Sequence, residues 1–162
     1  MFKKILLVLL VILIIIQFIH PKRNKAEGQQ PNNVGNAFPV PQNVKTILDK
    51  ACMDCHSNNT RYTWYTKFQP VDWWITGHIN EAKEHLNLDE YTNRNLRYQF
   101  HKMEEIEEQV KEGHMPLKSY TWIHKDAILT DDEKNTLINW AVSIQESMKS
   151  QYPIDSLIRR NN

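Results

Sequence analysis

Apolar positions recur along this chain every three or four residues, and that spacing predicts helices. Val44, Ile47, Leu48 and Ala51 stand at i, i+3, i+4 and i+7 behind Asn43, a residue suited to cap a helix start. Trp74, His78, Ala82 and His85 share a face of a second helix, expected from Trp73 to about Leu86 with Asp72 as its cap. Leu96, Phe100, Met103, Ile106 and Val110 mark a third, opened by Thr92 or Asn93 and ended near Glu112 by Gly113. Its glutamates and Lys111 lie on the wet side. Thr130-Asp131-Asp132-Glu133 reads as a capping box, so the last helix starts there with Leu137, Trp140, Ala141, Ile144 and Met148 inward. By position this helix should pack across the first. Ser57 to Pro70 has no clear period and reads as an ordered loop carrying Tyr62, Trp64, Tyr65 and Phe68.

Ahead of these helices, Met1 to Ile19 joins a short cationic start (Lys3, Lys4) to an unbroken apolar run from Ile5 to Ile16. This looks like a signal sequence or signal anchor. The bulky Phe18-Ile19-His20-Pro21 does not suit a signal peptidase, which favours an uncleaved transmembrane anchor. Lys22, Arg23 and Lys25 beyond the run offset Lys3 and Lys4, so charge alone does not orient it. Pro21 to Gln42 is polar and holds Pro31, Gly35, Pro39 and Pro41. The expected organisation is an anchor or signal peptide over 1–20, a flexible tether over 21–40, an all-α domain over 41–150 and a loosely held tail over 151–162.

Composition agrees with one helical domain plus an N-terminal appendage: 162 residues with only 4 glycines. Five tryptophans and six tyrosines suit a small domain that walls a flat apolar cofactor. A net charge of +1 makes neither nucleic acid nor acidic lipid an evident partner.

Both cysteines of the chain fall in Cys52-Met53-Asp54-Cys55-His56, at the end of the first predicted amphipathic helix. Two thiols at this spacing followed by histidine form the attachment pattern of a c-type haem. Each thiol can add across one vinyl group of the porphyrin edge, and the next imidazole can bind the iron as proximal ligand. Zinc would need a second Cys or His pair. A thioredoxin-like redox pair would sit beside a βαβ pattern, and a plain Cys52–Cys55 disulfide needs an oxidising compartment.

A sixth iron ligand must come from a separate segment, and His114-Met115-Pro116-Leu117 supplies one. Pro116 fixes its own φ and pushes Met115 towards extended geometry, which helps aim the sulfur. A thioether there raises the potential relative to two imidazoles. His114, His78, His85 and His124 are the other candidates. No catalytic constellation is visible.

These stretches together resemble the bacterial haem-binding domain family. The resemblance runs from about Pro41 to Ile144. Its specific part is Ala51-Cys52-Met53-Asp54-Cys55-His56-Ser57-Asn58-Asn59-Thr60-Arg61-Tyr62, and it continues in Trp73-Trp74, His85-Leu86-Asn87 and Gly113-His114-Met115-Pro116-Leu117. It implies a cytochrome-c-like all-α fold and covalent haem c, with His56 at the proximal position and Met115 at the distal one. It also orients the anchor, because haem attachment in this class takes place outside the cytoplasmic membrane. The expectation is therefore a single-pass protein of the cytoplasmic (inner) membrane with its domain in the periplasm, exchanging single electrons with an unidentified redox partner protein. The alternatives are a haem sensor or enzyme with a displaceable sixth ligand, and a non-haem interaction domain with a CxxC disulfide.

Overall fold

Helix α7 (Asp131–Gln151) starts where a Thr130 side chain accepts the Glu133 amide and the Glu133 carboxylate accepts the Thr130 amide. Its inward stripe is Leu137, Trp140, Ala141, Ile144 and Met148, all buried. The stripe packs chiefly along α5 (Leu96–Lys111) and also meets α3 (Gln42–Ala51). Phe100, Met103 and Val110 of α5 and Val44, Ile47 and Leu48 of α3 complete the same core. The Lys50–Glu133 ion pair, 2.6 Å, joins the end of α3 to the start of α7.

The computed structural model describes residues 1–158, and these are all-helical apart from an isolated bridge between Lys25 and Asn59. The remaining elements are α1 (Phe2–Ile16), α2 (Val34–Ala37), α4 (Val71–His85), α6 (Lys118–Thr121), α8 (Ile154–Leu157) and three short 3-10 turns. Helix α4 makes its main contact with the turn at Trp64–Lys67.

Element boundaries differ from the sequence expectation in three places. Asn43 lies inside α3, which starts at Gln42 after Pro41 with no side-chain cap. Asn95, not Thr92 or Asn93, caps α5 by accepting the Tyr98 amide. Asp72 lies inside α4 and is fully buried, bonded to Arg23 at 2.7 Å and His20 at 2.9 Å. A carboxylate that finds two basic partners in tertiary structure has no need of the cap position.

The segment expected as a flexible tether over 21–40 is packed onto the domain. Val34 and Phe38 are core residues, and Arg23 and Asn24 bond to the loop that follows α3. The tail over 151–162 is also partly held. Leu157 is buried, and Arg97 donates to the Asp155 carbonyl. The tail's last residues, 159–162, lie outside the described residues.

The expected membrane anchor is corrected. Among the described residues no helix is long and apolar enough to cross a membrane. Helix α1 has 15 residues, about 22 Å of rise against a hydrocarbon core of about 30 Å. It ends because the chain beyond it is drawn onto the domain. Gln17 exchanges hydrogen bonds with the Gln69 backbone, and Trp73 Nε1 donates to the Ile19 carbonyl at 3.0 Å. The single-pass placement in the cytoplasmic membrane, with a periplasmic domain, therefore loses its support.

Two substitutions check this packing by denaturant unfolding of the full chain. Leu137→Ala should cost about 2–5 kcal/mol, the price of a cavity at a site with no exposed surface. Thr130→Ala should cost about 1 kcal/mol through the lost cap. A Leu137→Ala cost no larger than that of Thr130→Ala would contradict the core described here.

Candidate functional site

The turn that carries the two cysteines directly follows α3, which Cys52 caps. The Cys52 amide donates to the Leu48 carbonyl, and the His56 amide donates to the Cys52 carbonyl at 2.9 Å. This i to i+4 bond sets Cys52 and Cys55 about one turn apart. Both are free, half-buried thiols. Burial, and then the neighbouring Cys55, pushes the Cys52 thiol up to about 12. Burial, and then the Asp54 carboxylate, pushes Cys55 up to about 11.

His56 is held at two points. Its Nδ1 lies 2.9 Å from the Leu86 carbonyl, and its own carbonyl accepts the Leu88 amide at 2.8 Å. A carbonyl can only accept, so Nδ1 carries the proton and Nε2 keeps its lone pair. Burial favours the neutral ring and lowers the His56 pKa, outweighing the Leu86 and Ala82 carbonyls that act the other way. The result is an oriented imidazole of the tautomer that metal ligation requires.

Asp54, between the two cysteines, is buried and fully engaged. It accepts from the Arg61 amide at 3.0 Å, from the Arg61 guanidinium at 3.0 and 3.1 Å, and from the Tyr120 hydroxyl at 2.7 Å. Burial alone would raise its pKa, yet these donors hold its carboxyl below the ordinary carboxylate range. The Asp54 bond pushes the Arg61 value up, and burial, then the Asp54 bond, pushes the Tyr120 value up. Tyr120 thus ties the segment after α5 to the cysteine turn, and its ring stacks on His124 at 4.2 Å.

A cavity of about 230 Å³ opens beside Cys55. Its apolar wall comes from Trp74, Ile75 and Ile79 of α4 and from Leu117 and Ile123 of the later segment; His78 also faces it. Of the residues expected from sequence, Cys55 lines this space. Cys52 packs against the core instead, while His56 and Met115 are absent from the cavity wall. Met115 is half-buried, two residues before Leu117, with its amide on the Gln109 carbonyl. His114 pairs with Glu112 at 3.2 Å, and His124 bonds the Tyr65 hydroxyl. His85 is exposed at the end of α4.

The contacts of Asp54, Tyr120, Leu86 and Leu88 escape a reading of the sequence. Their partners lie 66 positions away for the Asp54–Tyr120 pair and 30 for the His56–Leu86 pair. The acidic residue inside the cysteine spacing was the one local signal. Among the described residues no three His, Cys, Asp or Glu side chains converge as a metal cluster.

Two measurements follow from these surroundings. Both thiols are raised, so alkylation of the haem-free protein should be slow at pH 7 and rise about tenfold per pH unit towards 9, with Cys55 ahead of Cys52. A rate at pH 7 equal to that of the denatured chain would contradict their burial. Asp54→Ala should cost about 1–3 kcal/mol by removing the carboxylate that accepts from Arg61 and the Tyr120 hydroxyl. Because the Asp54 pKa is depressed on folding, its contribution is full above the ordinary value of 3.8 and fades as pH falls through the folded value. The stability gap between wild type and Asp54→Ala should therefore narrow in acid, read from urea unfolding across pH.

A haem-binding domain family model matches residues 11–143, most of the chain, including the cysteine turn, α4 and the segment after α5. No curated protein and no solved structure matches the chain. The chain belongs to the haem-binding domain family.

Proposed function

We propose that this protein carries one haem joined covalently to Cys52 and Cys55, with His56 on the iron, and that it serves as a single-electron carrier of cytochrome-c-like architecture. The observation that carries the reading is the His56 ring. A family member that binds haem needs an imidazole with a free Nε2, and the Nδ1 bond to the Leu86 carbonyl supplies it beside two free thiols. The packing of α3 against α7, with the cysteine turn directly after α3, supports the cytochrome-c-like arrangement.

The donor set and the lining fit a porphyrin: two unpaired thiols, one oriented imidazole and an apolar aromatic wall. Size fits less well. At about 230 Å³ the cavity is below the roughly 300–1,000 Å³ of ligand sites. Trp74 and Leu117 at its wall are solvent-exposed. Haem would supply a one-electron iron couple there. The chain's own residues do the rest: Leu86 fixes the imidazole and raises its basicity, Asp54 and Tyr120 hold the turn, and the aromatics limit water. Met115, on the segment leading to Leu117, is the ligand that the sequence suggests for the sixth position.

The test is production of the full chain alongside haem-attachment machinery. The wild type should keep haem colour on a denaturing gel and give a c-type pyridine spectrum, and replacing both Cys52 and Cys55 with Ala should abolish the gel-stable colour. Colour that survives denaturation in the double variant would sink the covalent reading.

A further inference from the structure

The last carbonyls of a helix have no partner within it and must find one elsewhere. At the end of α4 the Leu86 amide donates to the Ala82 carbonyl at 2.8 Å, and the Tyr98 hydroxyl donates to the His85 carbonyl, also at 2.8 Å. These two bonds pin one peptide unit, the first by its N–H and the second by its C=O. Only the φ and ψ of Leu86, −150° and 124°, separate that unit from the carbonyl on which His56 Nδ1 rests.

Tyr98 is itself held firmly. It lies in the first turn of α5, where the Asn95 side chain accepts its amide at 2.9 Å, and its neighbours Gln99 and Phe100 are buried. Its ring meets the Arg94 guanidinium at 5.2 Å and the Lys102 ammonium at 5.4 Å. Helix α4, by contrast, packs chiefly on the Trp64–Lys67 turn. Among the described residues, the Tyr98 bond is the one hydrogen bond that runs directly from α3, α5 or α7 to α4.

We infer that Tyr98 is a positioning residue for His56: its hydroxyl ties the end of α4 to the helical core and so keeps the Leu86 carbonyl where the imidazole donates to it. The inference rests on the proposed role of His56 as an iron ligand. It does not depend on where the porphyrin lies, because every contact it uses belongs to the chain. The bond at Nδ1 fixes the tautomer and raises the basicity of Nε2. A more basic imidazole favours ferric iron over ferrous, so a carbonyl free to drift weakens that preference and raises the potential. Tyr98 acts on the ring only through Leu86.

The experiment compares the full-length wild type with Tyr98→Phe and Thr130→Ala. Tyr98→Phe keeps the half-buried ring and its cation contacts, so it retains the fold while losing one bond. Thr130→Ala removes a cap of similar strength at the start of α7 and controls for general loosening. In the haem-free protein, nitrogen-15 NMR of the histidine rings reads the His56 tautomer and the exchange of its Nδ1 proton. In the haem-loaded protein, redox titration reads the potential. The wild type should carry the His56 proton on Nδ1. In Tyr98→Phe that proton should exchange on the order of fivefold faster, with a signal from the Nε2-protonated tautomer appearing beside it. The loaded variant should titrate at a higher potential than wild type, and Thr130→Ala should match wild type in both readouts. Exchange in Tyr98→Phe no faster than in Thr130→Ala, or a loaded potential no higher, would overturn the role of Tyr98 while leaving haem attachment standing. A wild type without covalent haem would overturn the attachment, and the haem-free spectra would then decide the role of Tyr98 alone.

Discussion

A single bond, from His56 Nδ1 to the Leu86 carbonyl, sets what this site can do. It decides which ring nitrogen keeps its lone pair, and it docks the cysteine turn on the end of α4. The Leu88 amide on the His56 carbonyl makes the contact two-sided, so ring and backbone are fixed together. Around Leu88 the polar surroundings are fully paired. Asp89 accepts from the Asn58 amide and from Asn33, and Asn87 donates to Asn58.

The cysteine turn is held from its other sides as well. Asp54 anchors it to Arg61 and Tyr120, and Asn24 bridges the Ser57 carbonyl and the Thr60 hydroxyl from the N-terminal segment. Lys83 of α4 in turn donates to Asn24. The core formed by α3, α5 and α7 therefore needs little contact with α4 directly, because polar loops carry the connection. This division leaves α4 and the 117–123 segment facing each other across an apolar gap beside Cys55, where a flat ligand would be walled by side chains from both. The raised thiols belong to the same arrangement: burial keeps them protonated and poorly reactive in the absence of a partner.

Much of the helical frame is legible in the sequence because its causes are local. The Thr130 and Glu133 side chains need only each other's backbone, and Gly113 takes a φ of 72° that a side chain would disfavour, so both helix ends can be read from neighbours. The grouping of Cys52, Cys55 and His56 is local for the same reason. Asp72 misleads because its partners, His20 and Arg23, lie about 50 positions earlier. The polar 21–40 segment misleads in a related way: its composition lacks a period, while Val34 and Phe38 still find a place in the core. The apolar N-terminal run has the composition of an anchor, and only its termination by Gln17 on Gln69 shows a helix of 15 residues. Which side chains face Cys55 across the gap depends on the approach of α4 and the 117–123 segment, and no spacing rule contains that.

The most direct test of the central claim is the intact mass of the full chain made alongside haem-attachment machinery, followed by mapping of the peptide that contains residues 52–56. Attachment at Cys52 and Cys55 predicts a gain of one haem mass per chain, lodged on that peptide and resistant to acid-acetone extraction. An unmodified chain under conditions that load a control cytochrome, or a haem that extracts freely, would contradict it.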